Sequence, residues 1–121
     1  MISKSQYSFS KAERITNKII IQKLFDEGDK INSKNFDLRI LSGFENNFNQ
    51  ILITVSKNKI KSAVKRNLIK RRIKESYRLN KKQLSNSGYS IAIIYVDNKI
   101  LKFKQIEDFI QKILKNISKN G

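Results

Sequence analysis

The chain has 121 residues, enough for one compact domain and too few for two independent cores. Lys and Arg number 26 against 10 Asp and Glu, a formal +16 that makes a polyanion, nucleic acid first, the natural partner; a basic interfacial helix would need an apolar face left free, and here the apolar residues are required for the core, so no membrane is expected. Cys and His are both absent, which removes disulfides, thiolate chemistry, Cys/His zinc sites and a histidine general base.

Residues 1–13 mix Ser, Lys, Gln and single aromatics without periodicity, so a loose N-terminal arm is expected on the one domain spanning 1–121, with Phe9 able to dock. The N-terminus lacks an apolar h-region and no run approaches 18 apolar residues, so the expected location is the cytoplasm. From Asn17 to Glu27 the residues Ile20, Ile21, Leu24 and Phe25 fall at helical spacing, with Thr16 or Asn17 as N-cap and Gly28 as the stop. Phe36, Leu38 and Ile40 alternate with polar residues between Asn35 and Leu41, the period of a half-buried strand. The polar stretch Ser42 to Gln50 then reads as a hairpin loop leading to a second strand at Ile51 to Ser56. The nearly continuous Ile-Leu-Ile-Thr-Val run of that strand suits burial on both faces or a central place in the sheet.

A central helix is predicted from Ser62, a possible N-cap, to about Asn80. Asn86, Ser87 and Gly88 break the chain before an apolar strand at Tyr89 to Val96. Ile106, Phe109, Ile110, Ile113, Leu114 and Ile117 recur at helical spacing and give a final amphipathic helix. The predicted order is α-β-β-α-β-α, an α+β domain whose small mixed sheet needs helices against its apolar face.

Function concentrates on the central helix. Twelve basic residues lie between Lys57 and Lys82, opposed only by Glu75, and four of the six arginines (Arg66, Arg71, Arg72, Arg78) are among them. Arginine matters because its planar guanidinium pairs bidentately with phosphate, whereas lysine acts as a point charge. On a helix, Asn67, Lys70, Arg71, Lys74 and Arg78 share an arc of roughly 100°. Ile69, Ile73 and Tyr77 repeat beside them as a stripe to bury, while Val64, Leu68 and Leu79 lie on a further side that can meet the last helix or loops. A Lys/Arg run is often no more than a solvated face, but that reading suits a helix with balanced charge. Here Lys70 with Lys74 and Lys74 with Arg78 repel at i, i+4, and a polyanion relieves the repulsion.

The segment Val55-Ser56-Lys57, followed by Ala63-Val64-Lys65-Arg66-Asn67-Leu68-Ile69-Lys70-Arg71-Arg72-Ile73-Lys74-Glu75, resembles the signature R-N-[RK]-[IV]-K-R-x-[IL]-R-E of the bacterial ribonuclease P protein family. Arg14-Ile15, Gln22-Lys23-Leu24-Phe25, Gly28 and Phe36 extend the resemblance along nearly the whole chain. The resemblance implies a left-handed βαβ crossover, against the general rule. It implies that Lys57, Arg66, Asn67, Lys70, Arg71, Lys74 and Arg78 bind a catalytic RNA subunit. It also implies that Arg14, Ile21, Phe25 and Arg39 face the single-stranded 5′ leader of precursor tRNA, in a cleft between the first helix and the sheet. The resemblance further implies that metal-dependent chemistry in the RNA removes the leader, with Mg²⁺ held mainly by RNA; no protein residue is expected to be catalytic or a metal ligand, and the free protein is expected to be a monomer.

The chain departs from the family pattern at Leu68 (usually Arg or Lys), at Ile21 and Arg39 (both commonly aromatic), in lacking a Gly ahead of the helix, and at Asn58 to Lys61, one residue longer than usual. Arg39 can substitute charge or cation–π stacking for the missing aromatic. Phe25 suits core packing as well as leader contact. Phe36 reads as core, and for Tyr7, Tyr89 and Tyr95 packing is preferred over base stacking. Asp26, Glu27 and Asp29 are better read as solvated carboxylates at a helix end than as a Mg²⁺ site. Two other readings are a structural, ribosomal-type RNA-binding protein and a DNA-binding helix; the latter needs a short partner helix where a strand is predicted.

Overall fold

The computed structural model describes residues 14–42, 49–84 and 88–120, so the expected arm at 1–13 lies outside the described residues, as do most of the predicted hairpin loop and Tyr7 and Phe9. Asn17 opens α1 (Lys18–Glu27) by accepting from the Ile19 amide at 2.8 Å. Gly28 ends the helix, its N–H donating to Leu24 O at 3.0 Å. It does so at an ordinary φ of −67°, so what demands glycine is crowding: a Cβ there would lie 2.4 Å from Leu24 O and 3.3 Å from Ile40 O.

Four strands form one sheet in the order β1-β2-β4-β3, with β1 at Asp29–Asn32, β2 at Phe36–Leu41, β3 at Gln50–Val55 and β4 at Ser90–Tyr95. β1 and β2 are antiparallel, β2 and β4 antiparallel, β3 and β4 parallel. Two expectations are corrected by this topology. β2 and β3 are both strands but form no hairpin, because β4 lies between them, with Leu38 and Ile53 both opposite Ile93. The central strand is β4, buried at five of its six residues; β3 is an outer strand whose free side is met by the chain entering α1, where Ile15 N donates to Ile51 O at 3.0 Å. β1 was not foreseen, and its sole apolar residue, Ile31, gave no period to see.

Ser62 caps α2 (Ala63–Asn80), accepting from Lys65 N at 3.3 Å. α2 joins the parallel pair β3 and β4, and α3 (Phe103–Asn120) returns beside it. Between α2 and β4 come one turn of 3₁₀ helix at Lys81–Gln83 and Gly88, whose φ of 85° is readily adopted only by glycine. Alternate residues of β2, β3 and β4 (Leu38, Ile40, Ile51, Ile91, Ile93, Tyr95) form the main core with Ile69, Ile73 and Tyr77 of α2 and Ile106, Ile110, Ile113 and Leu114 of α3. Phe36 is fully buried there, stacked on Phe109 at 4.4 Å between centroids and edge-on to Tyr95 at 5.4 Å. The opposite sheet face carries α1 on a smaller cluster of Ile15, Leu24 and Ala92, with Ile20, Ile21, Leu41 and Leu52 at its margin. Tyr89 and Tyr95 are buried, as packing required.

A polar seam joins the C-terminal end of α2 to α3. Asn80 Nδ2 donates to Ser76 O at 2.8 Å and Glu107 Oε2 at 3.3 Å, and Asn80 Oδ1 accepts from Gln111 Nε2 at 2.8 Å. Val64 and Leu79, candidates for that contact, are 76% and 41% exposed instead. Among the described residues no helix is long and apolar enough to cross a membrane.

Candidate nucleic-acid interface

Burial of Ile69, Ile73 and Tyr77 fixes the rotation of α2, and therefore which side chains the helix turns outward. Asn67 and Arg71 are exposed and Lys70, Lys74 and Arg78 half-buried, so the five predicted members do form one outward stripe. The eleven helical steps from Asn67 to Arg78, at 1.5 Å each, make it about 16 Å long. Asn67, Lys70, Arg71 and Lys74 line a shallow depression with Val64. Lys70 and Lys74 also border a groove of about 230 Å³ with Arg14, Ile15, Thr16 and the β3 residues Ile51, Leu52 and Ile53. Arg14, assigned from sequence to the leader side, thus shares a groove with two cations of the stripe.

The arginines divide by what they touch. Arg78 pairs with Glu75, its Nε donating to Oε2 at 3.0 Å; this hydrogen bond holds the Glu75 carboxyl below the usual range and raises the Arg78 guanidinium further. Arg72 donates from Nη1 to Leu101 O at 2.7 Å, tying α2 to the segment ahead of α3. Arg66 donates from Nη1 to the carbonyls of Ile60 and Lys61 at 2.9 and 2.8 Å. Guanidinium groups suit backbone carbonyls as well as phosphates, so residue type did not reveal these internal roles. Lys57 is exposed on the turn between β3 and α2.

On the α1 face, register aligns Arg39 with Ala92 and Leu52, the row that α1 covers. The next row, Asp37, Ile94 and Thr54, is only half-buried. Arg39 lies over the Phe25 ring with Cζ 5.8 Å from its centroid, and Phe25 is 37% exposed. That places Phe25 at the rim of α1 instead of in the core, joined to Arg39 by a cation–π contact. Arg39 Nη1 donates to Leu38 O at 3.1 Å. Ile21 sits at the margin of the small cluster, half-buried. Two strand spacings, about 10 Å, separate the Arg39 strand from the β3 strand that borders the Arg14 groove. Asp26 accepts from Gln22 Nε2 at 3.1 Å, and no three carboxylates among the described residues converge to hold a metal.

A model of the Ribonuclease P family matches residues 9–118. The chain belongs to the ribonuclease P protein family. Among similar proteins, the ribonuclease P protein component of Porphyromonas gingivalis is 32% identical, covering 99% of this chain and 93% of its own. That of Desulforapulum autotrophicum is 34% identical over 92% of this chain and 93% of its own. The fold is that of the Staphylococcus aureus RNase P protein, with a TM-score of 0.76 at 27% identity over 88% of this chain and 96% of the other. The RNase P protein from Thermotoga maritima shares the fold at a TM-score of 0.74 and 21% identity, over 86% of this chain and 96% of that one.

Proposed function

We propose that this chain is the protein subunit of a ribonuclease P holoenzyme, binding the catalytic RNA through α2 and the 5′ leader of precursor tRNA through the α1 face of the sheet. The observation that carries the reading is the division of α2: one side is wholly buried in the core, and the other presents Asn67, Lys70, Arg71 and Lys74 with Glu75 its sole acid. Lys57 and Arg66 extend that surface at its N-terminal end, and Arg78 closes the other end beside Glu75. Each phosphate neutralised releases counterions, so affinity for the RNA subunit falls steeply with salt. The half-buried strip beside α1, rimmed by Phe25, Ile21 and Arg39 and continued toward Arg14, supports leader binding: Arg39 and Arg14 supply charge, and Phe25 supplies a face for a base.

In this reading the chemistry belongs to the RNA and to the Mg²⁺ it holds, as the family resemblance implies; the sequence has no His or Cys, and among the described residues no three carboxylates converge. The chain's own part is electrostatic neutralisation and retention of the leader, which favours precursor over product. The free protein is read as a cytoplasmic monomer. Affinity of the protein–RNA complex for precursor and mature tRNA, with Phe25→Ala and Arg39→Ala, tests the leader half. Both variants should narrow the difference between the two tRNAs without weakening binding of the RNA subunit. Unchanged discrimination in both would remove the α1 face from the account.

A further inference from the structure

Arg66 counts toward the charge of α2, yet part of its guanidinium is used inside the protein, on the two carbonyls of Ile60 and Lys61. Those carbonyls belong to the link from β3 to α2, which is fastened at further points. Ser56 N donates to Tyr95 O at 3.0 Å, carrying the β3–β4 pairing one residue onward. The amides of Lys59 and Ile60 both donate to Ser56 O, at 3.2 and 3.0 Å, closing a tight turn. Ile60 is inserted into the core at 4% exposure. Lys57, Asn58, Lys59 and Lys61 are left outward on this frame, all four exposed.

Three ammonium groups within five residues repel one another, and a guanidinium beneath them adds a fourth positive charge. Electrostatics alone would therefore spread the turn. What opposes spreading is the set of carbonyl hydrogen bonds, of which the Arg66 pair holds the last two residues before the helix cap. A planar guanidinium nitrogen with two hydrogens can serve two adjacent carbonyls at once, which a rotating ammonium does less well. We propose that Arg66 is a positioning residue: it fixes the Lys57–Lys61 turn as a preformed basic edge that contacts phosphates of the RNA subunit, and acts on RNA through that turn instead of through a phosphate contact of its own. The proposal rests on the RNA-subunit reading of α2. A preset turn spares the ordering that binding would otherwise require, which is the general source of affinity from preorganisation.

The test uses the full chain and its cognate ribonuclease P RNA, with Arg66→Ala, Arg66→Lys, the triple change Lys57→Ala/Lys59→Ala/Lys61→Ala, and triple plus Arg66→Ala. In the free protein, Arg66→Ala and Arg66→Lys should both speed exchange of the Lys59 and Ile60 amides several-fold while the β4 amides keep their protection. With RNA, Arg66→Ala should lower the salt slope by more than the roughly 0.7–0.9 given by one lost phosphate contact, and should add little to the triple. Full rescue by Arg66→Lys, or a loss of one contact that adds in full to the triple, would show Arg66 on a phosphate and overturn the proposal. So would unchanged amide exchange, or a triple variant that binds like the parent. If Lys70→Ala/Arg71→Ala also left affinity and slope unchanged, the RNA-subunit reading would fall and the turn's contact with it, an outcome distinct from failure of the turn alone.

Discussion

Replacing Gly28 by Ala sets two effects of known size against each other. At φ −67° an alanine is conformationally allowed, and the restricted unfolded chain would by itself favour the variant by about 0.4–1 kcal/mol. The new methyl, however, would lie 2.4 Å from the Leu24 carbonyl oxygen, while an ordinary carbon–oxygen contact is roughly 3.3–3.6 Å, so about 1 Å must be found. It cannot come from a flexible side chain, because both obstructing atoms are backbone oxygens, and Ile40 O at 3.3 Å limits retreat toward β2. Overpacking of this kind costs roughly 1–3 kcal/mol, so the clash wins and Gly28→Ala should lose about 1–2 kcal/mol net. Urea unfolding followed by far-UV circular dichroism should show a lower midpoint at an unchanged slope. Relief of the clash swings the end of α1 away from the strand and carries Phe25 from Arg39, so preference for precursor over mature tRNA should weaken while affinity for the RNA subunit persists. A midpoint equal to or above that of the parent would refute the packing argument.

Three further outcomes follow from the core and the loops around it. Ile73→Ala empties a fully buried site between α2 and the sheet and should cost about 2–5 kcal/mol in equilibrium unfolding, with RNA affinity falling only as the folded fraction does. Tyr95 donates to Lys99 O and accepts from Leu101 N at 3.2 Å, and burial raises its phenol above the ordinary value. Its contribution is complete below about pH 10 and is lost as pH climbs through the raised folded value, because the unfolded chain releases the proton first. Tyr95→Phe should therefore cost about 1–3 kcal/mol at neutral pH and make thermal melting less sensitive to pH above about 10. Asp97 behaves in the opposite sense: the Lys99 amide, then Asn35, hold its carboxyl below the usual range, so its contribution is complete above about pH 4 and disappears as pH falls through the lowered value. Asp97→Asn should flatten the acid side of the melting profile, and an acid limb as steep as that of the parent would count against this origin.

Local signals were legible and pairing was not. Ser62 announced the start of α2 and the pair Thr16 and Asn17 that of α1, where Asn17 proves to be the cap, because a side-chain oxygen that caps an amide is a short-range device. The stripe of Ile69, Ile73 and Tyr77 gave the buried side of α2, and with it the outward stripe, since 3.6-residue periodicity determines both together. The alternation of Phe36, Leu38 and Ile40 identified β2 but carried no information about its partner; β4, some fifty residues later, takes the place beside it that a hairpin would have given β3. The near-continuous apolar run of β3 suggested burial on both faces or a central strand, although β3 ends the sheet order and meets Ile15 through Ile51. Of the four arginines on the basic segment, Arg66 and Arg72 donate to backbone carbonyls, which leave no mark in a sequence window, while Arg78 pairs with Glu75 three residues before it. Asn80, in the polar seam to α3, was invisible for the same reason: its partners Glu107 and Gln111 belong to another helix.

The central claim is that the basic face of α2 joins the chain to a catalytic RNA that removes the tRNA leader. The most direct measurement is cleavage of a 5′-labelled precursor tRNA by the cognate ribonuclease P RNA at moderate salt and Mg²⁺, with and without the protein, and with Lys70→Ala/Arg71→Ala. The account predicts cutting at the mature 5′ end that requires both components under these conditions and drops with the double variant. Binding to that RNA no tighter than to an unrelated structured RNA, with no stimulation of cleavage, would contradict it and leave a structural RNA-binding protein in its place.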